Sequence, residues 1–321
     1  MKKNDYLFAV ASVRALENSL LKQSDLEQLI NAEDYQKAVA ILNEKGYDIT
    51  STNYSAALDG ELEKTWALVN EAAPEAEALE IFIIKNDFQN LKAILKSEVM
   101  SYNAEDYFVK PCVFDSDKLL KAVGERRFEE LPEWLGTAAE KAYEVLAKTG
   151  NGQLCDAIID TAALETIVKL ALDSGDEILG EFAELYCLCA DIKTAYRAVK
   201  TNKSKTFLEY AIADTSLLKK DELINAAGGG IDEFSDYLSN TGLTSYRAEL
   251  EKSGSAFEKY CDDRMLETIK KAKMTAFGVS PLAAYFVAKE TEIKCLRIIL
   301  SAKLSFVSGE KIRERMRELY V

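Results

Sequence analysis

Between Pro281 and Leu300, Leu282, Phe286, Ile293, Leu296 and Leu300 recur at three- and four-residue multiples, the spacing of one apolar helix face. Ser280 as N-cap and Pro281 in the first turn predict the start, and Gly309 comes shortly after the end. Glu290, Lys294, Arg297 and Ser301 fall on a second, polar stripe of the same helix, open to a partner. Weaker copies of the segment occur twice before it. Asn90 to Lys96, Asp191 to Arg197 and Cys295 to Ser301 superpose without gaps, at offsets of 101 and 104 residues. Asp59, Asp160 and Asp262 precede those starts by 31, 31 and 33 residues. Asp25 with Tyr35, Asp117 with Phe128 and Asp221 with Phe234 open the three stretches. Three anchors in one order predict three tandem repeats of about a hundred residues, far longer than common solenoid repeats.

The same periodicity gives the remaining elements. A first helix is expected over residues 5–21, with Tyr6, Val10, Val13 and Leu20 on one face. The first repeat then contains helices near 26–31, 34–44 and 59–73 and a motif helix ending at Lys96. In the second they run near 116–123, 132–149 and 154–174, with a motif helix ending at Lys200. The third starts near Ser216, is interrupted at Gly228 to Gly230, resumes over 234–238, and has a long helix over 255–277 before the opening segment. A last helix, capped by Ser308, is expected to reach the carboxyl terminus. The domains expected are 1–105, 106–205 and 206–321, and the class is all-α. Ile81 to Ile84 comes nearest to a strand pattern. Three similar units in one chain can close around a pseudo-threefold axis, which would bring Lys92, Lys193 and Arg297, with Lys96 and Arg197 one turn on, into a basic ring.

Composition narrows the chemistry. The 321 residues carry 15 Gly and 4 Pro, too few to interrupt long helices often. With 40 basic against 54 acidic residues the net charge is −14, which argues against nucleic acid as a partner. No apolar run approaches the length of a membrane span, and Asp5, Arg14 and Glu17 break the weak leader-like pattern of Leu7 to Val13, so a cytoplasmic protein is expected. There is no histidine, which removes Ser-His-Asp and Cys-His catalysis and His-ligated zinc. The six cysteines sit among apolar neighbours and read as free, packed thiols. Gly228 to Gly230 lacks the Gly-Lys-Ser/Thr of a phosphate loop and reads as a turn. Asp59, Asp160 and Asp262 read as helix starts or surface positions. No catalytic group, cofactor, metal or small-molecule substrate is expected.

Pro281-Leu-x-x-Tyr, then Lys289-Glu-x-Glu-Ile-Lys-x-Leu-Arg-Ile-Ile-Leu, then Ile312-Arg-Glu-Arg-Met-Arg-x-x-Tyr320 resemble a known carboxyl-terminal signature. It is that of the C subunit of the V-type (A-type) rotary ATPases, whose counterpart in the eukaryotic vacuolar enzyme is called the d subunit. Tyr6 to Glu17 and Asn86-Asp-Phe-x-Asn-Leu-Lys-x-Ile-Leu-Lys96 resemble the family's first helix and first motif helix. The chain departs from the pattern at Leu188, where the family often has an acid, and at Asp191, where asparagine is usual. The resemblance implies a non-catalytic rotor subunit shaped as a funnel of three helical domains, on the cytoplasmic face of a proteolipid membrane ring. The central stalk would dock in it and torque pass through it for proton or sodium transport coupled to ATP hydrolysis or synthesis. The candidate partner interface is Lys92, Lys96, Lys193, Arg197, Arg297, Arg313 and Arg317, the last two on the strength of the resemblance. The competing reading is a free-standing helical scaffold that binds a protein or peptide.

Overall fold

The computed structural model describes residues 2–50, 53–100 and 102–321, and side chains from Tyr6 onward. All regular structure among the described residues is helical. The α-helices are α1 (Lys2–Leu16), α2 (Gln23–Asn31), α3 (Tyr35–Glu44), α4 (Tyr54–Ala72), α5 (Ile84–Ser97), α6 (Ser116–Gly124), α7 (Glu133–Thr149) and α8 (Gly152–Asp173). They continue as α9 (Glu177–Lys200), α10 (Lys205–Ala211), α11 (Lys220–Gly228), α12 (Ile231–Asn240), α13 (Thr244–Lys252), α14 (Gly254–Lys270), α15 (Ser280–Leu304) and α16 (Gly309–Arg313). Short 3-10 turns occupy Ala76–Phe82, Ala104–Tyr107 and Lys271–Met274 among other junctions. The strand-like Ile81 to Ile84 is therefore a 3-10 turn running into α5. Its residues are apolar throughout because all four are buried.

Packing groups the chain into two compact units, Met1–Ala76 with Ala248–Val321 and Glu77–Arg247. In the first, α15 lies along α4 and also meets α1, α2, α3 and α14. The last motif helix is thus built into the repeat that opens the chain. Ile293, Leu296, Ile299 and Leu300 share one core with Leu26, Leu29, Leu42 and Leu58. In the second unit, α8 is the central helix, packed by α5, α7, α9 and α10. Thr161 in α8 donates its hydroxyl hydrogen to the Tyr210 carbonyl at 2.8 Å, tying α10 to it.

Several boundaries differ from expectation for local reasons. Ser280 is the first residue of α15 and is buried; Val279 is the cap, and Gly278 makes the preceding turn at φ +94°. Every residue from Ser280 to Ala288 is buried, so the first half of α15 is a core helix on all sides. Only its second half is amphipathic. It ends at Leu304, shortly before Gly309. Phe306, at φ +54°, takes the left-handed position, and the Val307 N–H returns to the Ala302 carbonyl at 2.9 Å. Asn202 does the same after α9 at φ +50°, 104 residues earlier. Each motif helix is then followed by a short helix whose cap is Asn103, Ser204 or Ser308. These repeat-equivalent helices, α10 and α16 among them, extend the repeat past the motif. The last helix stops at Arg313. Beyond it Met316, Leu319 and Tyr320 are buried in a non-helical tail, whose Glu318 N–H reaches Asp263 at 2.8 Å.

Candidate functional site

The motif helices carry buried polar side chains, which must find partners to be tolerated. They find them in the chain that leads into a repeat. In α5, Asp87 accepts from the Phe114 and Val113 N–H groups at 2.7 and 3.0 Å, just before α6. Asn90, one turn on, accepts from the Val109 N–H at 2.8 Å and donates to its carbonyl at 3.1 Å. In α9, Asp191 accepts from the Ala213 N–H at 3.0 Å, and Glu184 from the Ser216 N–H at 3.0 Å, ahead of α11. In α15, Glu292 accepts from the Leu21 N–H at 2.5 Å, ahead of α2. It also accepts from the Tyr47 hydroxyl and, at 2.5 Å, from Lys289 Nζ. Lys289 lies 4.7 Å from the Tyr47 ring centre. Glu292 therefore does for the first repeat what Asp87 does for the second.

Burial dominates the protonation of these groups. It raises Asp87 to about 6 against the opposing pull of its backbone donors. It raises Asp191 to about 7. Burial, then the Glu292 charge, pushes the Tyr47 phenol up.

The cations singled out in the sequence are largely engaged within the chain. Lys92 pairs with Asp160, and Lys96 Nζ with Asp156 at 2.7 Å, both acids on α8. Arg297 Nη2 pairs with Asp59 on α4 at 2.5 Å, and its Nη1 donates to the Ser55 hydroxyl at 3.2 Å. Asp59 and Asp160 are repeat-equivalent, as are their partners. Asp262 receives Lys294 and Arg317, each at 2.8 Å. Of the three aligned aspartates, Asp59 and Asp160 are surface positions and Asp262 is half-buried; each sits inside its helix and also holds a cation. Arg313 grips Glu27 through Nε and Nη2 and donates to Asn31 at 2.7 Å. Lys193 is half-buried, and Arg197 is exposed at the mouth of a cleft that also contains Asp156 and Asp160. The structure thus gathers Lys92, Lys96 and Arg197 around one acid pair in the second unit, and Arg297, Arg313 and Arg317 on the first. What sequence reasoning missed is Glu292; its only signal was an acid placed at the Asp87 position of the repeat.

Among the described residues no three His, Cys, Asp or Glu side chains converge to hold a metal ion. No helix there is long and apolar enough to cross a membrane.

The ATP synthase (C/AC39) subunit family model matches residues 9–315. The chain belongs to that family. It is 26% identical to the C subunit of the V-type sodium ATPase of Enterococcus hirae over 318 residues, 96% of this chain and 97% of the relative. It is 25% identical to the C subunit of the A-type ATP synthase of Methanocaldococcus jannaschii, covering 98% and 86% of the two chains. To the protein of the same name in Thermococcus kodakarensis it is 24% identical, covering 99% and 92%. By family the chain is thus a rotary-ATPase component, and both of its packing units lie mainly within the matched stretch.

Proposed function

We propose that this chain is the non-catalytic rotor subunit that links the central stalk of a V-type or A-type ATPase to its membrane proteolipid ring, the counterpart of the d subunit in the vacuolar enzyme. It sits on the cytoplasmic face and passes torque between them. The observation that carries the reading is the family match along nearly the whole chain, 9–315, with relatives of nearly equal length named as the C subunit of such enzymes. The fold supports it mechanically: buried acids on α5, α9 and α15 anchor the lead-in to a repeat, so load taken by one helix reaches the next through short hydrogen bonds. The proposal includes three domains over 1–105, 106–205 and 206–321. It also includes a partner interface formed by Lys92, Lys96, Lys193, Arg197, Arg297, Arg313 and Arg317. The ion pairs of Lys96, Arg297 and Arg313 are partly exposed and contribute little to stability, so these cations exchange an internal carboxylate for a partner's at small cost, whereas Lys92 and Arg317 are more deeply held. The test is a pull-down of detergent-solubilised proteolipid ring and of purified central stalk on the tagged chain. Capture of both is expected; capture of neither defeats the proposal.

A further inference from the structure

Two clefts occupy equivalent places in the second and third repeats. One is bounded by α9, α10 and α8, the other by α15, α16 and α4. Their lining positions coincide at the 104-residue offset: Ser301, Ser305, Lys311 and Arg315 stand where Arg197, Thr201, Phe207 and Ala211 stand. The geometry is shared and the chemistry is not. In the second repeat the cleft of about 220 Å³ balances Arg197 and Lys203 against Asp156 and Asp160. In the third, a cleft of about 440 Å³ is lined by Arg297, Lys311 and Arg315 with no carboxylate. Arg297 already holds Asp59, outside the lining. Lys311 and Arg315 are exposed and form no ion pair among the described residues, so they leave uncompensated positive charge in a concavity of a chain whose net charge is −14. Ser301 and Ser305 add hydroxyl donors, while Ile298, Val307 and Ile312 supply an apolar wall.

A cleft of this volume that combines an apolar wall with a few convergent donors is the usual form of a small-molecule site. Cations and hydroxyls without acids select an oxyanion, and the apolar wall selects one with a hydrocarbon or aromatic body. We propose that the α15–α16 cleft binds a small phosphate ester, its phosphate between Lys311 and Arg315 and its body against Ile298 and Val307. Binding here requires neither stalk nor ring, although Arg297 in the lining also belongs to the proposed partner interface.

The test is calorimetric titration of the full chain with phenyl phosphate and, separately, inorganic phosphate. Saturable one-site binding of phenyl phosphate is expected, with inorganic phosphate weaker. Lys311→Glu and Arg315→Glu should each weaken phenyl phosphate by about tenfold or more. Their melting temperatures should not change, because both side chains are exposed. Lys203→Glu, in the second-repeat cleft, should bind as the parent does. Absence of saturable heat, unchanged affinity in the Lys311 and Arg315 variants, or an equal loss in Lys203→Glu would overturn the proposal.

Discussion

Arg297 on α15 and Asp59 on α4 form an ion pair at 2.5 Å across 238 positions of sequence, the counterpart of the Lys92–Asp160 pair between α5 and α8. The third-repeat motif helix thus treats the first repeat as the first-repeat motif helix treats the second. This relation ties the carboxyl-terminal repeat to the amino-terminal one.

The pair joins the repeats without supplying much stability. The side chains are 37% and 51% exposed, so solvent screens them. A double-mutant cycle with Arg297→Ala and Asp59→Ala is expected to give a coupling of no more than about 1 kcal/mol in urea denaturation. A larger coupling would mean that the clasp holds the fold rather than presenting a charge.

Glu292 is the opposite case. It is 1% exposed and serves three donors: Leu21 N–H, the Tyr47 hydroxyl and Lys289. Glu292→Ala leaves the Leu21 N–H and the Tyr47 hydroxyl buried without this acceptor and the half-buried Lys289 without its counter-charge, keeping only the Tyr47 hydroxyl at 3.0 Å, and is expected to cost about 3–5 kcal/mol. Tyr47→Phe, which removes one donor and keeps the ring, should cost about 1 kcal/mol. Chemical denaturation of the two variants checks the ranking.

Asp191 occupies the position of Asn90, yet it is a buried acid raised to about 7 from an ordinary aspartate value of 3.8. The unfolded chain loses this proton near pH 4 and the folded chain only near pH 7, so between those values the folded state binds more protons and stability falls as pH rises. Asp191→Asn keeps an acceptor for the Ala213 N–H and removes the charge. It is expected to raise stability by about 1–3 kcal/mol above pH 7, with the gain shrinking toward zero as pH falls to 4. Melting temperatures across that range measure it; a gain that does not vary with pH would refute the assignment. Asp87, raised to about 6 by burial, contributes the same slope in a lower window.

The tail beyond α16 is held by its side chains. Tyr320 is 2% exposed, Lys273 Nζ donates to its carbonyl at 2.5 Å and lies 4.5 Å from its ring centre, and Arg14 bonds its hydroxyl at 3.5 Å. Tyr320→Ala is expected to cost about 3 kcal/mol, whereas deletion of the exposed Val321 should be close to neutral.

The helices were readable because apolar positions recur at helical spacing, and the three motif segments because their residues align without gaps. The buried first half of α15 was not, since Leu282 and Phe286 mark one face while small Ala283, Ala284 and Ala288 conceal the others. α10 escaped because seven residues hold too little periodicity, although Ser204 and Ser308 stand at the repeat offset. The tail read as helix because Ser308 offers a cap and no glycine or proline after Gly309 breaks the chain that carries Arg313, Arg315 and Arg317. Arg317, only 8% exposed and paired with Asp262, shows why it is not. The candidate cations were visible in sequence, but their partners were not: Asp59 and Asp160 reach Arg297 and Lys92 only through long-range packing.

The proposal that this chain joins stalk to ring is tested most directly by sedimentation of purified central stalk with detergent-solubilised proteolipid ring, with and without the chain. Stalk is expected to sediment with the ring only when the chain is present, and less so with Lys92→Glu combined with Arg297→Glu. Stalk that sediments with the ring equally well in the absence of the chain would contradict it.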